Sequence, residues 1–257
     1  MNIYVCIKQV PDTETKIKLN SDQTWIDTSG IKWIVSPYDE FAIEEGLKVK
    51  AQFPESKVTI VSAGPDRVVD AIRTGLAMGA DTGLHIELPE TADHFITAQA
   101  ISKALQKEEK VDLLFCGKEA IDDGAAQTAQ LIAAAMDIPA LTVILEAQYT
   151  ENSVQVKREV EGGTIEVLES SLPAVIAAQK GLNEPRYASL PNIMKAKKKE
   201  VKKVSLADLG MSESDQKVKL KNFELPAPKA AGRKLDGTPA EMAAELVKIL
   251  HEEVKVI

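Results

Sequence analysis

An α/β fold on a doubly wound, mostly parallel sheet is what this chain predicts, and two observations carry the prediction. Short apolar runs recur at 3–7, 58–62, 83–86, 113–116 and 141–145, and helical patterns fill the gaps at about 38–52, 66–78, 93–108 and 124–136. Strand-like runs alternating with helix-length segments argue for parallel strands joined by crossover helices. Gly79 follows Leu76-Ala77-Met78 and is placed to end the second helix, because glycine accepts the backbone angles of a helix C-cap. Residues 152–157 and 164–168 alternate in character around Gly162-Gly163, the pattern of a hairpin. The run 173–178 reads as one more buried strand.

Beyond residue 182 the character changes. Pro185 and Pro191 each remove a backbone donor and bias the preceding residue away from helix, so 183–199 is expected to be extended. It carries Tyr187, Leu190, Ile193 and Met194 beside lysines concentrated at 195–203. Apolar groups next to dense charge suit contact with another protein better than packing in a core. A short helix at 205–210 should stop at Gly210, and 211–237 is polar with Pro226, Pro228 and Gly232. Thr238-Pro239-Ala240-Glu241 then supplies an N-cap, a first-turn proline and a capping-box glutamate. Met242, Leu246, Val247, Ile249 and Leu250 form one apolar stripe on that last helix. The expected organisation is an α/β nucleotide-binding core at 1–182, a recognition loop and basic run at 183–203, and a C-terminal extended arm and helix at 204–257 packing on a partner subunit.

Composition narrows the function. The 257 residues are 44% hydrophobic and 27% charged, ordinary for a soluble globular chain. A net charge of −8 argues against nucleic acid, whose phosphates demand basic surface. The two cysteines, Cys6 and Cys116, lie in apolar runs, which points to a reducing compartment. Met1 leads directly into the first strand, and no apolar run approaches the ~20 residues that span a bilayer. A cytoplasmic protein is the expectation, although a trimmed protein of the mitochondrial matrix would look the same.

In a doubly wound sheet, ligands bind beyond the carboxyl ends of the strands. Three loops fall there. Gly117-Lys118-Glu119-Ala120-Ile121-Asp122-Asp123-Gly124-Ala125-Ala126-Gln127-Thr128-Ala129-Gln130 follows a buried strand and opens a helix. Its small residues admit close approach of a ligand, and free N–H groups at a helix start suit a phosphate. Asp122 is placed to cap that helix, and Gln127 and Thr128 offer neutral hydrogen bonds. The acidic pair counts against phosphate unless the carboxylates point away. Ser36-Pro37-Tyr38-Asp39 precedes the first helix, and Ser62-Ala63-Gly64-Pro65 follows the second core strand. His85, His94 and His251 are scattered without metal-ligand spacing, and no catalytic or metal site can be assembled. A nucleotide-like cleft without acid/base groups describes a binding or carrier subunit.

Several of these stretches together resemble the beta subunit of electron transfer flavoprotein. The similarity runs from Met1 to about Gly210 and rests on Val5-Cys6-Ile7-Lys8-Gln9-Val10-Pro11-Asp12, on 72–81 with Arg73 and Gly75, on Gly117 to Gln130, and on 156–163 continued by Glu166 and 172–176. The recognition segment Leu190-Pro191-Asn192-Ile193-Met194-Lys195 completes it. The resemblance implies a heterodimer in which an alpha subunit holds most of a redox-active FAD, while this chain completes the FAD site and binds a structural AMP. Family AMP contacts would fall on Cys6, Ser36, Pro37, Ala63 and 120–130, and Tyr38 would approach the flavin. Leu190 would anchor in a pocket of a flavin dehydrogenase, such as an acyl-CoA dehydrogenase of fatty acid oxidation. Arg158 and Glu159 would match a charged pair tied to the orientation of a mobile flavin domain. Electrons would pass on to a membrane quinone oxidoreductase.

Two residues depart from the family pattern. A frequent asparagine is Ala126 here, and the Asn-Pro turn is Ser36-Pro37. The first departure resembles bifurcating members, in which a second FAD replaces AMP and NADH is the donor. Gln127-Thr128 and the recognition segment resemble the AMP-binding group. A stand-alone ATP-binding α/β domain is the remaining alternative.

Overall fold

A computed structural model describes residues 1–108, 110–229 and 231–257. In chain order the elements are β1 (Asn2–Cys6), β2 (Gln9–Pro11), β3 (Trp33–Val35), α1 (Pro37–Gln52), β4 (Lys57–Gly64), α2 (Val68–Met78), β5 (Thr82–Glu87), α3 (His94–Leu105), β6 (Leu113–Gly117), α4 (Thr128–Met136) and β7 (Ala140–Tyr149). They continue with β8 (Ser153–Val160), β9 (Thr164–Ser171), β10 (Ala174–Ala178), α5 (Leu190–Ala196), β11 (Val201–Ser205) and α6 (Pro239–Lys248). One nine-stranded sheet runs β11-β5-β4-β1-β6-β10-β7-β8-β9. Every pairing from β11 to β7 is parallel, and the β7-β8 and β8-β9 pairings are antiparallel. The doubly wound, mostly parallel sheet expected from the alternating pattern is therefore present.

Side chains of successive strand residues feed two separate cores. Ile3 and Val5 of β1, Leu113 and Phe115 of β6, and Ile176 of β10 pack with Ile43, Leu47, Ile72 and Leu76 of α1 and α2. Tyr4, Cys6, Leu114, Cys116 and Val175, offset by one residue, pack with Ile96, Ile101 and Ile132 of α3 and α4. This is the two-residue period of a strand buried on both faces. Glycine permits the closest approach: a Cβ on Gly75 of α2 would lie 2.8 Å from Ile60, and one on Gly83 would lie 2.4 Å from Ile72. Gly79 ends α2 as expected, its N–H bonded to the carbonyl of Gly75.

The hairpin around Gly162-Gly163 forms, with both glycines at positive φ. β7 is longer than its sequence signal. Val143 stands at φ 60°, where the register with β10 shifts; β7 pairs parallel with β10 over 140–144 and antiparallel with β8 over 144–149. A β-branched residue in that conformation is a backbone outlier.

Three expectations are corrected. The segment 183–199 is not extended throughout, because α5 forms inside it. Pro191 sits in the first turn, where a missing N–H costs nothing, and the Ser189 hydroxyl accepts from the Asn192 N–H at 3.4 Å. The lysine run is in part paired with acids, although Lys195, Lys197 and Lys198 stay exposed. It contains the edge strand β11, in which Lys203 pairs with Asp66 at 2.7 Å and Glu87 at 2.9 Å and Lys202 pairs with Glu108. Lysines on an edge strand also deter pairing with other chains. The fourth helix begins at Thr128 rather than near 124, because Gly124 and Ala126 both take left-handed backbone angles.

Beyond β11, Gly210 ends a single 3₁₀ turn at φ 64°, and α6 carries the expected Thr238–Glu241 capping box. No residue of α6 is fully buried; along the apolar stripe, Met242, Ile249 and Leu250 are half-buried, and Leu246 and Val247 are exposed. Among the described residues, no helix is long and apolar enough to cross a membrane.

Candidate functional site

The sheet reverses its winding at β1. From β1 the chain proceeds outward to β4 and β5, then returns to place β6 on the other side. The carboxyl ends of β1 and β6 thus define a switch point, where a crevice opens because the flanking connections leave in opposite directions.

Asp39, in the first turn of α1, ties that point together. One carboxylate oxygen accepts the Lys8 N–H at 2.7 Å, and the other accepts the Gly117 N–H at 2.9 Å. The side chain is fully enclosed, and burial raises its pKa to about 7 against the opposing pull of these two backbone bonds. Gly117 has no alternative at this contact: a Cβ there would stand 2.5 Å from Asp39 Oδ1 and 2.8 Å from the Tyr38 main chain. The Ser62 hydroxyl donates to the Ile7 carbonyl at 2.9 Å and fixes the neighbouring end of β4.

The acidic pair of the 118–127 loop turns inward. Lys8 Nζ lies 2.8 Å from Asp122 and 2.7 Å from Asp123. Burial works against the Lys8 ammonium, but the two carboxylates outweigh it and raise its pKa. Burial likewise opposes the Asp123 carboxylate, and Lys8 outweighs that and lowers its pKa. His94, the first residue of α3, holds the loop from the other side, with Nδ1 3.2 Å from the Thr128 hydroxyl and Nε2 3.6 Å from Asp123. Asp122 is therefore no helix cap, contrary to expectation, because its carboxylate is committed to Lys8. No side chain caps α4, so its first amide groups stay available for an anion. The Ser36 hydroxyl is fully buried and has no hydrogen-bond partner among the described residues. A buried orphan hydroxyl and an uncapped helix start flanking one crevice are what a polar, phosphate-bearing ligand requires.

Among the residues singled out from sequence, Cys6, Ser36, Pro37, Tyr38, Ala63 and the 120–130 loop all belong to elements that end at this crevice. Cys6 also makes a side-chain contact with Cys116 on the adjacent strand, and that contact together with burial pushes the Cys116 thiol well up. Tyr38 is half-buried beneath the Lys118 ammonium, 4.9 Å from its ring centroid. Lys8, Asp39 and His94 were missed as site-builders. The available signal was a lysine directly after the first strand and an aspartate in the first turn of the first helix.

The remaining candidates lie elsewhere. Arg158 is on β8, paired to Glu166 of β9 at 2.7 Å, and Glu159 stands beside it in the hairpin. Leu190, Ile193, Met194 and Lys195 are exposed on α5, with Leu190 at 79%. Asn183 and Arg186 anchor the approach to α5 on α1: Arg186 grips Glu44 through Nε and Nη2, both at 2.7 Å. Asn183 Nδ2 donates to Glu45 and to the Phe41 carbonyl, each at 2.9 Å.

Fold and crevice define a nucleotide-binding-type α/β protein with an exposed apolar helix on one flank. The family model for the electron transfer flavoprotein domain matches residues 23–209. The electron transfer flavoprotein subunit beta of Bacillus subtilis is 41% identical over the full length of both chains. Its counterpart in Mus musculus is 41% identical over 97% of this chain and 98% of its own, and the mitochondrial one of Arabidopsis thaliana is 40% identical over both full lengths. The chain belongs to the electron transfer flavoprotein family, among its beta subunits.

Proposed function

We propose that this chain is the beta half of a heterodimeric electron carrier, accepting electrons from flavin dehydrogenases, acyl-CoA dehydrogenases among them, and delivering them to a quinone oxidoreductase. An alpha subunit holds most of the FAD, Tyr38 closes on that flavin, and AMP occupies the crevice at the carboxyl ends of β1 and β6. The bound flavin supplies the redox chemistry; the residues of this chain bind, orient and dock. The observation that carries the reading is the pairing of one fitted crevice with one exposed apolar helix. The Ser36 hydroxyl lacks a partner inside the crevice, and Leu190, Met194 and Tyr187 stand exposed at 79%, 62% and 99% outside it. Ser36 and the amides of Thr128, Ala129 and Gln130 would hold the AMP. Arg158 and Glu159, on the hairpin, would meet the mobile flavin domain. Bacterial members would act in the cytoplasm, organellar ones in the mitochondrial matrix.

A bifurcating complex, with a second FAD in the crevice and NADH as donor, is the competing reading. It leans on Ala126 standing where the family frequently has asparagine. Against that reading, residue 126 sits at φ 50°. Asparagine tolerates that conformation better than alanine, so a backbone preference accounts for asparagine there without reference to the nucleotide. Acid extraction of the purified αβ complex followed by chromatography tests both readings. One FAD with one AMP is the expected content; two FAD without AMP would overturn the assignment.

A further inference from the structure

α5 is a poor candidate for a self-supporting helix. It has seven residues, well short of the ~12–15 at which helices begin to persist in water, and only Ala196 is buried. Its apolar side chains point outward, so burial does not hold it either. What holds it is a reciprocal polar clasp with α2. Arg73 Nη1 donates to the Ala196 carbonyl at 2.7 Å and to the Lys199 carbonyl at 2.6 Å. Lys199 Nζ in turn donates to the Leu76 carbonyl at 3.0 Å and to the Ala80 carbonyl. Each cation thus reaches one carbonyl in the last turn of the other helix and one just beyond it, and cations are favoured at helix C-termini.

The clasp has a rigid base. Gly75 and Gly83 let α2 sit directly on β4 and β5, which places Arg73 at a fixed height above the sheet. At the other end of the segment, Arg186 is clamped bidentately to Glu44 of α1. From this we infer that Arg73 is a positioning residue for partner docking, acting by holding α5 in the shape that presents Leu190 and Met194. The inference rests on the reading that α5 docks a dehydrogenase. A preformed helix spares the complex the ordering entropy of a flexible loop, so loss of the clasp appears as weaker docking rather than slower chemistry.

The test uses the co-expressed αβ complex, with an acyl-CoA dehydrogenase reduced by its own substrate as the probe. Arg73→Met is expected to raise the KM for the dehydrogenase roughly tenfold, the scale set by losing hydrogen bonds from a charged donor. The rate at saturating dehydrogenase, the flavin content and direct chemical reduction by dithionite should stay unchanged. Amide hydrogen exchange should accelerate within 190–199 and not in β1 or β6. Both lost bonds come from one nitrogen, so Arg73→Lys, whose ammonium reaches the same region, should give an intermediate KM. Should the methionine variant fail to assemble, Arg73→Lys and Lys199→Gln carry the same measurement, each with an expected rise in KM. An unchanged KM in the Arg73 variants, with a raised KM in Leu190→Ala, would overturn the clasp while leaving the docking reading standing. An unchanged KM in Leu190→Ala as well would overturn both.

Discussion

At the crevice a buried carboxylate fixes main-chain amides; at α5 a guanidinium fixes main-chain carbonyls. Asp39 takes up the N–H groups of Lys8 and Gly117, and Arg73 takes up the carbonyls of Ala196 and Lys199. The difference follows from what each region presents. The crevice offers backbone donors to an anion, so strand ends are pinned from inside and the loop acids are neutralised by Lys8. α5 leaves its apolar side chains outside, so its backbone is pinned from behind.

Removing the buried carboxylate breaks the first half of that comparison and should have the largest effect. With a folded-state pKa raised to about 7, Asp39 stays protonated in the native chain while its unfolded counterpart ionises near 3.8. Its stabilising contribution is complete below the unfolded value and is lost as pH rises to about 7. Across that window it amounts to roughly 4 kcal/mol at 1.36 kcal/mol per unit. Asp39→Asn should flatten the fall in urea midpoint between pH 4 and pH 7. A variant that keeps the wild-type slope would show that the carboxylate is not enclosed as described.

The second half breaks at Leu190. Truncation to alanine should slow electron uptake from a dehydrogenase by an order of magnitude or more, since an exposed anchor of this kind typically costs ~2 kcal/mol on removal. Folding and flavin content should not change, because the side chain is 79% exposed and supports nothing in its own chain. Stopped-flow reduction of the αβ complex by the dehydrogenase reads the effect directly.

The contrast between the regions also governs what could be read from sequence. The crevice lies on strands and helices with strong periodicity, and the three loops that form it were found because topology forces them to one edge. Lys8 and Asp39 went unread because their partners are 114 and 78 residues away, respectively, in sequence. Around α5 the local signals misled. Pro191 reads as a breaker when taken alone and as a first-turn residue once Ser189 is seen as its cap. β11 was hidden because Lys202 and Lys203 dominate it, their charge tolerated only at a sheet edge where Asp66, Glu87 and Glu108 await them. Val143 carries no local signal at all; its conformation falls at the register shift between β7 and β10.

Lys8→Met sharpens the comparison at the crevice without dismantling it. Asp122 and Asp123 would be left without their shared cation and would repel an incoming phosphate. The ammonium is partly solvated, with 42% side-chain exposure, so the pair's contribution is screened. Nucleotide affinity should fall about fivefold, on the scale of ~1 kcal/mol. The loss should be greater at low ionic strength, where the uncompensated carboxylates act at longer range. Isothermal titration of nucleotide-stripped complex with AMP at two salt concentrations measures both quantities. Equal affinity in both proteins would mean that the acids do not face the ligand.

The smallest effect, and the one that isolates backbone from ligand, is at Ala126. At φ 50° this residue occupies a conformation that costs a non-glycine residue about 1–2 kcal/mol, and no side-chain contact compensates an exposed methyl group. Ala126→Asn should stabilise the chain by about 0.5–1 kcal/mol, since asparagine visits the left-handed region with local hydrogen bonding. Ala126→Gly should do similarly, its relief of strain offset in part by the entropy glycine adds to the unfolded chain. If asparagine raises the urea midpoint while AMP affinity stays constant, the residue shapes the turn and leaves nucleotide choice to other groups. If AMP affinity rises instead with stability unchanged, the side chain reads the nucleotide. The alanine found here would then mark a crevice adapted to a different one.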